Sequence, residues 1–163
     1  MKRTLALTAM LLAAAASCLT ATQRREEDLR LEARLWNDDF RWGRWEIVGQ
    51  SMTPEENELF QERRRLVDED LVIADYEVTS IRFLPRSQAA TVDVNLEWYR
   101  KTEPSVRRAS LQQRWEHRAG RWMMIKQRRT RGNRFPLVPE PAAAAAAAPA
   151  AAEPDTASRP ASP

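Results

Sequence analysis

Few residues of this chain have the types and spacing that catalysis or metal binding requires. His117 is the only histidine and Cys18 the only cysteine, so a zinc-binding cluster of such residues has few members to draw on. The four glycines do not form a loop that could cradle a phosphate. His117 lies beside a predicted turn, where a solvated histidine is the simpler interpretation. We therefore expect no enzyme activity, no metal site and no cofactor.

Cys18 lies in a context that is typical of lipidation. Lys2 and Arg3 precede an apolar run over residues 5–16, which is the pattern of a secretory signal peptide. At about a dozen residues, the run is shorter than the roughly 20 needed to span a bilayer as a helix. Residues 15–18 (Ala-Ala-Ser-Cys) resemble the lipobox of bacterial lipoproteins, whose cysteine is acylated, with palmitate among the expected chains. The alternative is ordinary cleavage, for example after Ala16, which leaves a free thiol.

The lipobox resemblance implies an exported protein that a lipid holds at a membrane. Residue 19 is Leu and not Asp, which implies transfer to the outer membrane, facing the periplasm; the inner membrane and secretion are the alternatives. We assign residues 1–17 to the signal peptide and 18–21 to the lipidated tether. Residues 135–163 are predicted to be disordered, because Ala, Pro, Glu and Ser supply too little apolar surface to offset the entropy of ordering. Residues 22–134 remain as one folded domain.

Helices are predicted at the start of this domain. Apolar residues at helical spacing indicate one long helix, or two helices broken near Gly43. Residues 53–56 (Thr-Pro-Glu-Glu) form a capping box with proline at the first helical position, and this helix should end near Val67. The residues expected on the buried sides are Leu29, Ala33, Trp36, Phe40, Ile47, Leu59, Phe60, Leu66 and Val67.

Four antiparallel strands are predicted to follow. Residues 90–99 alternate strictly between apolar and polar, and residues 106–117 and 122–129 form a hairpin whose short loop contains Gly120. The apolar phase of residues 71–84 changes midway, so a bulge near Thr79-Ser80 is needed to keep one face buried. By the same phase argument, Trp98 and Trp115 face the core. The sequence thus predicts an α+β fold, with N-terminal helices packed on a curved four-stranded antiparallel sheet.

The last hairpin also resembles a known superfamily. Residues 111–116 end in Trp-Glu and are followed by Gly-Arg-Trp at 120–122, which is similar to the hairpin that closes the sheet in many nuclear transport factor two-like proteins. This resemblance implies a cystatin-like cone. Its enzymes place acids, tyrosines or histidines inside, and the equivalent positions here are Asp39, Asp75, Tyr76 and Gln113. Asp75 and Tyr76 should point to opposite faces of a strand, so Tyr76 and Gln113 remain as the candidate cavity residues.

Charge and tryptophan content indicate binding surfaces. Residues 24–75 have a net charge of −6 and residues 76–134 a net charge of +9, which favours either an anionic partner or attraction between the two halves. Residues 41–45 (Arg-Trp-Gly-Arg-Trp) suit lipid headgroups or helix packing. The basic run at 126–134 suits anionic lipid, a glycan or an acidic envelope protein, or it protects a strand edge. The candidate binding-surface residues are Trp42, Arg44, Trp45, Lys126, Arg128, Arg129 and Arg131.

The function that these features favour is a non-catalytic, membrane-anchored envelope lipoprotein that acts as an interaction or binding module. The alternative is a small-molecule-binding protein, or an isomerase- or dehydratase-like enzyme, that uses the cone cavity. A filled interior favours the first hypothesis, and an open cavity with polar groups favours the second. Nucleic acid is not an expected partner, because an exported protein seldom meets it.

We predict that Cys18 carries the lipid. The Cys18→Ser chain should leave the membrane fraction, because the acyl chains that provide stable anchoring are lost. Mass spectrometry of the N-terminal peptide should show the corresponding loss of acyl mass. A variant that stays in the membrane fraction, and whose N-terminal peptide differs in mass from wild type only by the exchange of sulfur for oxygen, would show that the chain is not a lipoprotein.

Overall fold

The computed structural model describes residues 2–67, 69–84 and 88–139, with side chains from Ala21 onward except that of Pro104. The side chain of Cys18 and residues 140–163, on which the lipidation and tail predictions fall, lie outside this part. The elements are α1 (Lys2–Arg41), α2 (Trp45–Gln50), α3 (Pro54–Arg65), β1 (Leu71–Phe83), β2 (Ala89–Arg100), β3 (Glu103–Arg118) and β4 (Arg121–Gly132). This confirms the α+β class, with helices followed by an antiparallel sheet.

Gly43 separates the first two helices, which is the second of the two alternatives that the sequence left open. Its φ of +69° is a left-handed conformation that glycine adopts at little cost, and it ends α1 just before α2 begins. The predicted stripe on α1 is buried and consists of Leu29, Ala33, Trp36 and Phe40. The prediction for Ile47 was wrong: Ile47 is 47% exposed and Val48 is buried instead. The break at Gly43 resets the helical phase, so the stripe does not continue into α2.

Helix α3 begins at the predicted capping box. The Thr53 Oγ1 accepts a hydrogen bond from the Glu56 N–H at 3.5 Å, and Pro54 is the first helical residue. Phe60 is buried, but Leu59 and Leu66 are exposed, which corrects the predicted buried side. The buried residues of α3 are Glu56 and Phe60, and the helix ends at Arg65, before Leu66.

The sheet has the order β1-β2-β3-β4 and is antiparallel throughout. A register shift between Val78 and Ser80 confirms the predicted bulge, and it brings Ile81 and Phe83 onto the core side with Val78. At the β3–β4 turn, Ala119 and Gly120 have φ values of 48° and 83°, as a tight hairpin with matching twist requires. The inner face, defined here as the face that the helices cover, buries Trp98 and Trp115, as predicted.

The chain after β4 returns to the inner face and completes the core. Gly132, at φ +84°, turns the chain, and a Cβ at this position would collide with the Arg108 carbonyl. Phe135, Leu137 and Val138 are then buried. The ring of Phe135 lies 5.6 Å from Trp98 and 6.0 Å from Phe40. The domain therefore reaches Val138 and not only residue 134, because the start of the predicted tail supplies large apolar side chains.

This packing predicts different effects for two changes near the C-terminus. Removing residues 140–163 should leave the melting temperature nearly unchanged, because this segment has no large apolar side chain. Phe135→Ala should destabilise the domain by about 3–5 kcal/mol, as other large-to-small core changes do. Urea unfolding of both variants measures the two effects. A truncation that destabilises as much as Phe135→Ala would place the tail in the core.

Candidate binding surface

The predicted cavity residue Gln113 lies within a closed hydrogen-bond arrangement. Its Nε2 donates to Asn37 Oδ1 at 2.9 Å, and its Oε1 accepts from Asn37 Nδ2 and from Trp115 Nε1, each at 3.3 Å. Gln113 is fully buried, and Asn37 is 2% exposed. Buried amides with satisfied partners tie α1 to β3 and leave Gln113 no free group to offer a ligand.

Tyr76 lies apart from Gln113, at the seam between α1 and β1. Its hydroxyl donates to Asp38 Oδ1 at 2.7 Å. Burial and, after it, the Asp38 carboxylate raise the pKa of Tyr76 to about 12, so this hydroxyl remains a proton donor at neutral pH. The structure thus does not bring the two candidate cavity residues together. Tyr76 pairs with the buried Leu96, whereas Asp75 pairs with Glu97, in line with the predicted opposite faces.

The two acids that the superfamily resemblance singled out are engaged in ion pairs. Asp75 Oδ1 lies 3.0 Å from Arg41 Nη1, and Asp39 Oδ1 lies 2.8 Å from Arg44 Nε. The remaining candidate, His117, is half-buried and its ring lies 5.3 Å from that of Trp122. Each of these side chains therefore has a structural role that requires no substrate.

The break at Gly43 places Trp42 and Trp45 in different environments. Trp42 is 68% exposed, and the guanidinium of Arg41 lies over its ring at 5.4 Å. Trp45 packs against Phe40 and Phe60, with ring centroids at 5.6 and 5.9 Å. The ring of Trp45 is therefore part of the core margin. Of this pair, only Trp42 offers an aromatic surface to a partner.

Four neighbouring cations of β3 and β4 lie on the outer face of the sheet, the face turned away from the helices. This basic patch consists of Arg114, Lys126, Arg128 and Arg131. Arg114 lies opposite Lys126 in the register, and the other two lie opposite the polar Gln112 and Ser110. Residues directly opposite each other in an antiparallel pair point to the same face. The β3–β4 half of the outer face therefore presents one continuous positive surface.

The basic patch differs from the sequence prediction at two positions. Arg129 pairs with the buried Leu111, so its side chain projects from the inner face and not from the outer one. Its Nη1 donates to the Gly132 carbonyl at 2.7 Å. Arg114 was not a candidate, because it lies on β3 and only the strand register brings it beside Lys126. The alternation of β4 alone could have separated Arg128 from Arg129.

A cross-strand ladder holds Arg128 in place. Arg82 Nη1 pairs with Asp93 Oδ2 at 2.7 Å, and Gln112 Nε2 donates to Asp93 Oδ1 at 3.0 Å. The Gln112 Oε1 in turn accepts from Arg128 Nη2 at 2.6 Å and from its Nε at 3.2 Å. The charge of Asp93 is thus balanced by Arg82, and Arg128 is fixed by a neutral amide. The guanidinium is ordered while its positive charge remains available.

The charges of the basic patch are not balanced within the fold. Arg114 and Lys126 are like charges directly opposite each other, an arrangement that destabilises a sheet. The carboxylate of Glu116 is 3.8 Å from Arg114, and Arg118 already binds it at 2.6 Å. Among the described residues, no carboxylate forms an ion pair with Lys126, Arg128 or Arg131. A negatively charged partner would relieve this repulsion.

Two shallow concavities lie within this surface. One of about 250 Å³ is lined by Thr91, Gln112, Arg114, Lys126 and Arg128. A neighbouring one of about 410 Å³ extends from Arg131 to Arg82 on β1. Both open to solvent, and neither includes the candidate cavity residues Tyr76 and Gln113.

Two arginines of α1, Arg30 and Arg34, line a separate recess of about 280 Å³ with residues 78–81 of β1. Tyr76 lines another of about 450 Å³, which also contains Arg108 and Arg131. Of these four recesses, the one at Arg114 has three cations and no carboxylate.

Residues 51–56 support the edge strand that carries the basic patch. The Met124 N–H donates to the Ser51 carbonyl at 2.7 Å, and the Gln127 N–H donates to Glu56 Oε1 at 3.2 Å. Glu56 is 8% exposed. Burial raises the pKa of Glu56 above its ordinary value of 4.5, while the hydrogen bond from Gln127 and the cations Arg63 and Lys126 act in the opposite direction.

The structure describes the ranges 2–67, 69–84 and 88–139. Within these ranges no group of three His, Cys, Asp or Glu side chains could hold a metal ion. No helix there is both long and apolar enough to cross a membrane.

Comparisons with protein-family models, with curated proteins and with solved structures find no match to this chain. The charge and shape of the surface are therefore the basis on which a function is proposed.

The raised pKa of Glu56 predicts a pH-dependent contribution to stability. Folding favours the protonated acid, so this contribution is present below pH 4.5 and is lost as the pH rises through the higher folded-state value. Glu56→Gln keeps a carbonyl oxygen for the Gln127 N–H and removes the charge. The free energy of unfolding of the variant, relative to wild type, should therefore increase with pH.

Urea unfolding of both proteins between pH 4 and 8 measures this difference. Glu58→Gln, at an exposed position of the same helix, controls for the loss of one negative charge. A relative stability of Glu56→Gln that falls with pH would mean that the buried carboxylate is stabilised by its surroundings.

Proposed function

We propose that this chain is a non-catalytic envelope lipoprotein, tethered through Cys18, whose outer sheet face binds an anionic partner. The observation that carries the proposal is the unbalanced charge of the basic patch. Opposed cations reduce stability, yet no carboxylate of the described residues forms an ion pair with three of the four, and Glu56 attracts Lys126 only from beyond ion-pair distance. Surface charges arranged in this way attract and orient oppositely charged partners.

The position of the basic patch suits a tethered protein. Cys18 lies within α1, and the part of this helix that follows it packs on the inner face through Trp36 and Phe40. The patch lies on the opposite side of the sheet, so neither the tether nor the helices cover it. The natural partners in the envelope are anionic lipids, glycans and acidic proteins, and the outer membrane facing the periplasm is the proposed location.

The packing of the inner face favours this function over a ligand in a cone cavity. Phe135 lies between Trp98 and Phe40, and both Nε2 and Oε1 of Gln113 are hydrogen-bonded within the fold. The helices, the curved sheet and the hairpin at residues 115–122 support a cone of the nuclear transport factor two-like type as part of the same proposal. In this protein the cone serves as a scaffold for its outer face.

The test compares two variants of equal net charge. One replaces the four cations of the basic patch with Gln. The matched control replaces four exposed arginines elsewhere: Arg24, Arg34, Arg65 and Arg121. The full lipidated chains, in uncharged detergent, are eluted with salt from a heparin column and from a poly-glutamate column.

The patch variant should elute at a lower salt concentration than the control, because binding to a defined patch depends on the arrangement of charge and not only on its sum. Circular dichroism verifies that both variants are folded. Equal elution of the two folded variants would show that the basic patch does not act as a unit and would refute the proposal.

A further inference from the structure

We propose that the concavity lined by Arg114, Lys126 and Arg128 binds a phosphate group carried by a larger envelope molecule. This inference rests on the proposed function and names the chemical class of its ligand. It concerns only the recess of about 250 Å³ and not the whole basic patch.

The donors come from two neighbouring strands and differ in geometry. Arg114 on β3 and Arg128 on β4 provide planar guanidinium groups, which bind pairs of oxygen atoms, and Lys126 provides a compact ammonium. The hydroxyl of Thr91, opposite Arg114 on β2, adds a neutral donor. A phosphate monoester carries a charge of about −1.5 to −2 and three strong acceptor oxygens. It can therefore engage all three cations, whereas a carboxylate offers two oxygens and one charge.

Gln112 binds one of these cations without neutralising its positive charge. Its Nε2 is bound to Asp93 and its Oε1 to Arg128, so it fixes one donor and contributes no charge. Every ionisable side chain that lines this recess is basic. The amide thus orders Arg128 before any ligand arrives, which reduces the entropy lost on binding.

The recess beside Tyr76, the largest of the four, is lined by more carboxylates than cations. It has a volume of about 450 Å³, and Asp75, Glu77 and Glu97 line it together with Arg108 and Arg131. Arg108 is already paired with Glu97 at 2.7 Å. These carboxylates would repel a phosphate, so the smaller recess is the anion site even though it is not the largest on the surface.

The size of the recess limits what is recognised. An open volume of about 250 Å³ holds a phosphate group but not the molecule that carries it, since complete ligand pockets measure about 300–1,000 Å³. The rest of the ligand must extend across the outer face. The phosphate of a lipid headgroup and the phosphate of a glycan share this chemistry, and the experiment below separates them.

The experiment measures thermal unfolding of the full lipidated chain in uncharged detergent with inorganic phosphate, or with acetate at the same ionic strength. A ligand that binds only the folded state raises the melting temperature by mass action. Phosphate should raise it and acetate should not. Arg128→Gln and Lys126→Gln should each weaken the apparent phosphate affinity about tenfold, as expected for the loss of a hydrogen bond to a charged group.

Two further variants separate a site from a general positive surface. Arg131→Gln removes a cation of the basic patch outside the recess, and it should change the phosphate affinity less than about twofold. Gln112→Ala keeps every cation but releases Arg128. It should weaken phosphate binding, and the double variant Gln112→Ala/Arg128→Gln should be no weaker than Arg128→Gln alone. Loss of affinity in Arg131→Gln equal to that in Arg128→Gln would overturn the phosphate site, while the proposed anion-binding function would stand.

Mixed micelles identify the source of the phosphate. Micelles of the same detergent containing phosphatidic acid are compared with micelles containing phosphatidylglycerol and with soluble glycerol phosphate. Stabilisation by glycerol phosphate, reduced in Arg128→Gln, supports a phosphate group in solution or on a glycan. Stabilisation by phosphatidic acid alone, reduced in the same variant, supports a lipid headgroup. Stabilisation by acetate equal to that by phosphate, or no stabilisation by any phosphate probe, would overturn the inference.

Discussion

The packing of aromatic rings around Phe40 is the contact on which the rest of the structure depends. Phe40 is 1% exposed and stacks on Trp36 within α1 at 4.9 Å. It also contacts one ring from each of α2, α3 and the C-terminal segment, which are Trp45, Phe60 and Phe135. Phe135 in turn contacts Trp98 of β2. A single side chain therefore holds three helices and the final segment over one sheet, at distances typical of favourable aromatic pairs.

This arrangement assigns the two faces of the sheet to different tasks. The inner face is committed to packing, and the amides of its buried Asn37–Gln113 pair are hydrogen-bonded to each other. The outer face carries the exposed cations of the basic patch, and along β2 its polar residues alternate with buried ones. A change on one face thus leaves the other nearly unaffected, which allows a stable scaffold to carry an independent binding surface.

The sequence predicted the elements well wherever a local pattern decides the structure. The capping box before Pro54, the break at Gly43 and the bulge between Val78 and Ser80 depend on neighbours in the chain, and the structure confirms each. The prediction failed where the phase changes, as at Ile47, which follows a turn that rotates the helix. It also missed Phe135, because composition averaged over the Ala- and Pro-rich tail concealed a few large apolar residues at its start.

The candidate site was harder to predict than the fold, because it depends on pairing between strands. The run from Lys126 to Arg131 is visible in the sequence, but Arg114 joins it only through the register of β3 with β4. The ladder through Gln112 requires contacts across all four strands and leaves no local signal. Lipidation at Cys18 and the order of the tail remain predictions, since the side chain of one and the residues of the other lie outside the described part.

The energies of charge repulsion and of core packing explain why the outer face can carry unpaired cations. Exposed ion pairs contribute about 0–1 kcal/mol, and opposed charges on a sheet cost a similar amount. Loss of one large core side chain costs about 3–5 kcal/mol, out of a total stability of about 5–15 kcal/mol. The repulsion between Arg114 and Lys126 is therefore small compared with the packing around Phe40, and the fold tolerates it without compensation. An unneutralised cluster persists on such a scaffold at little cost, and the ladder that orders Arg128 gives it a defined geometry. Order without neutralisation is the property that distinguishes a binding site from an ordinary solvated surface.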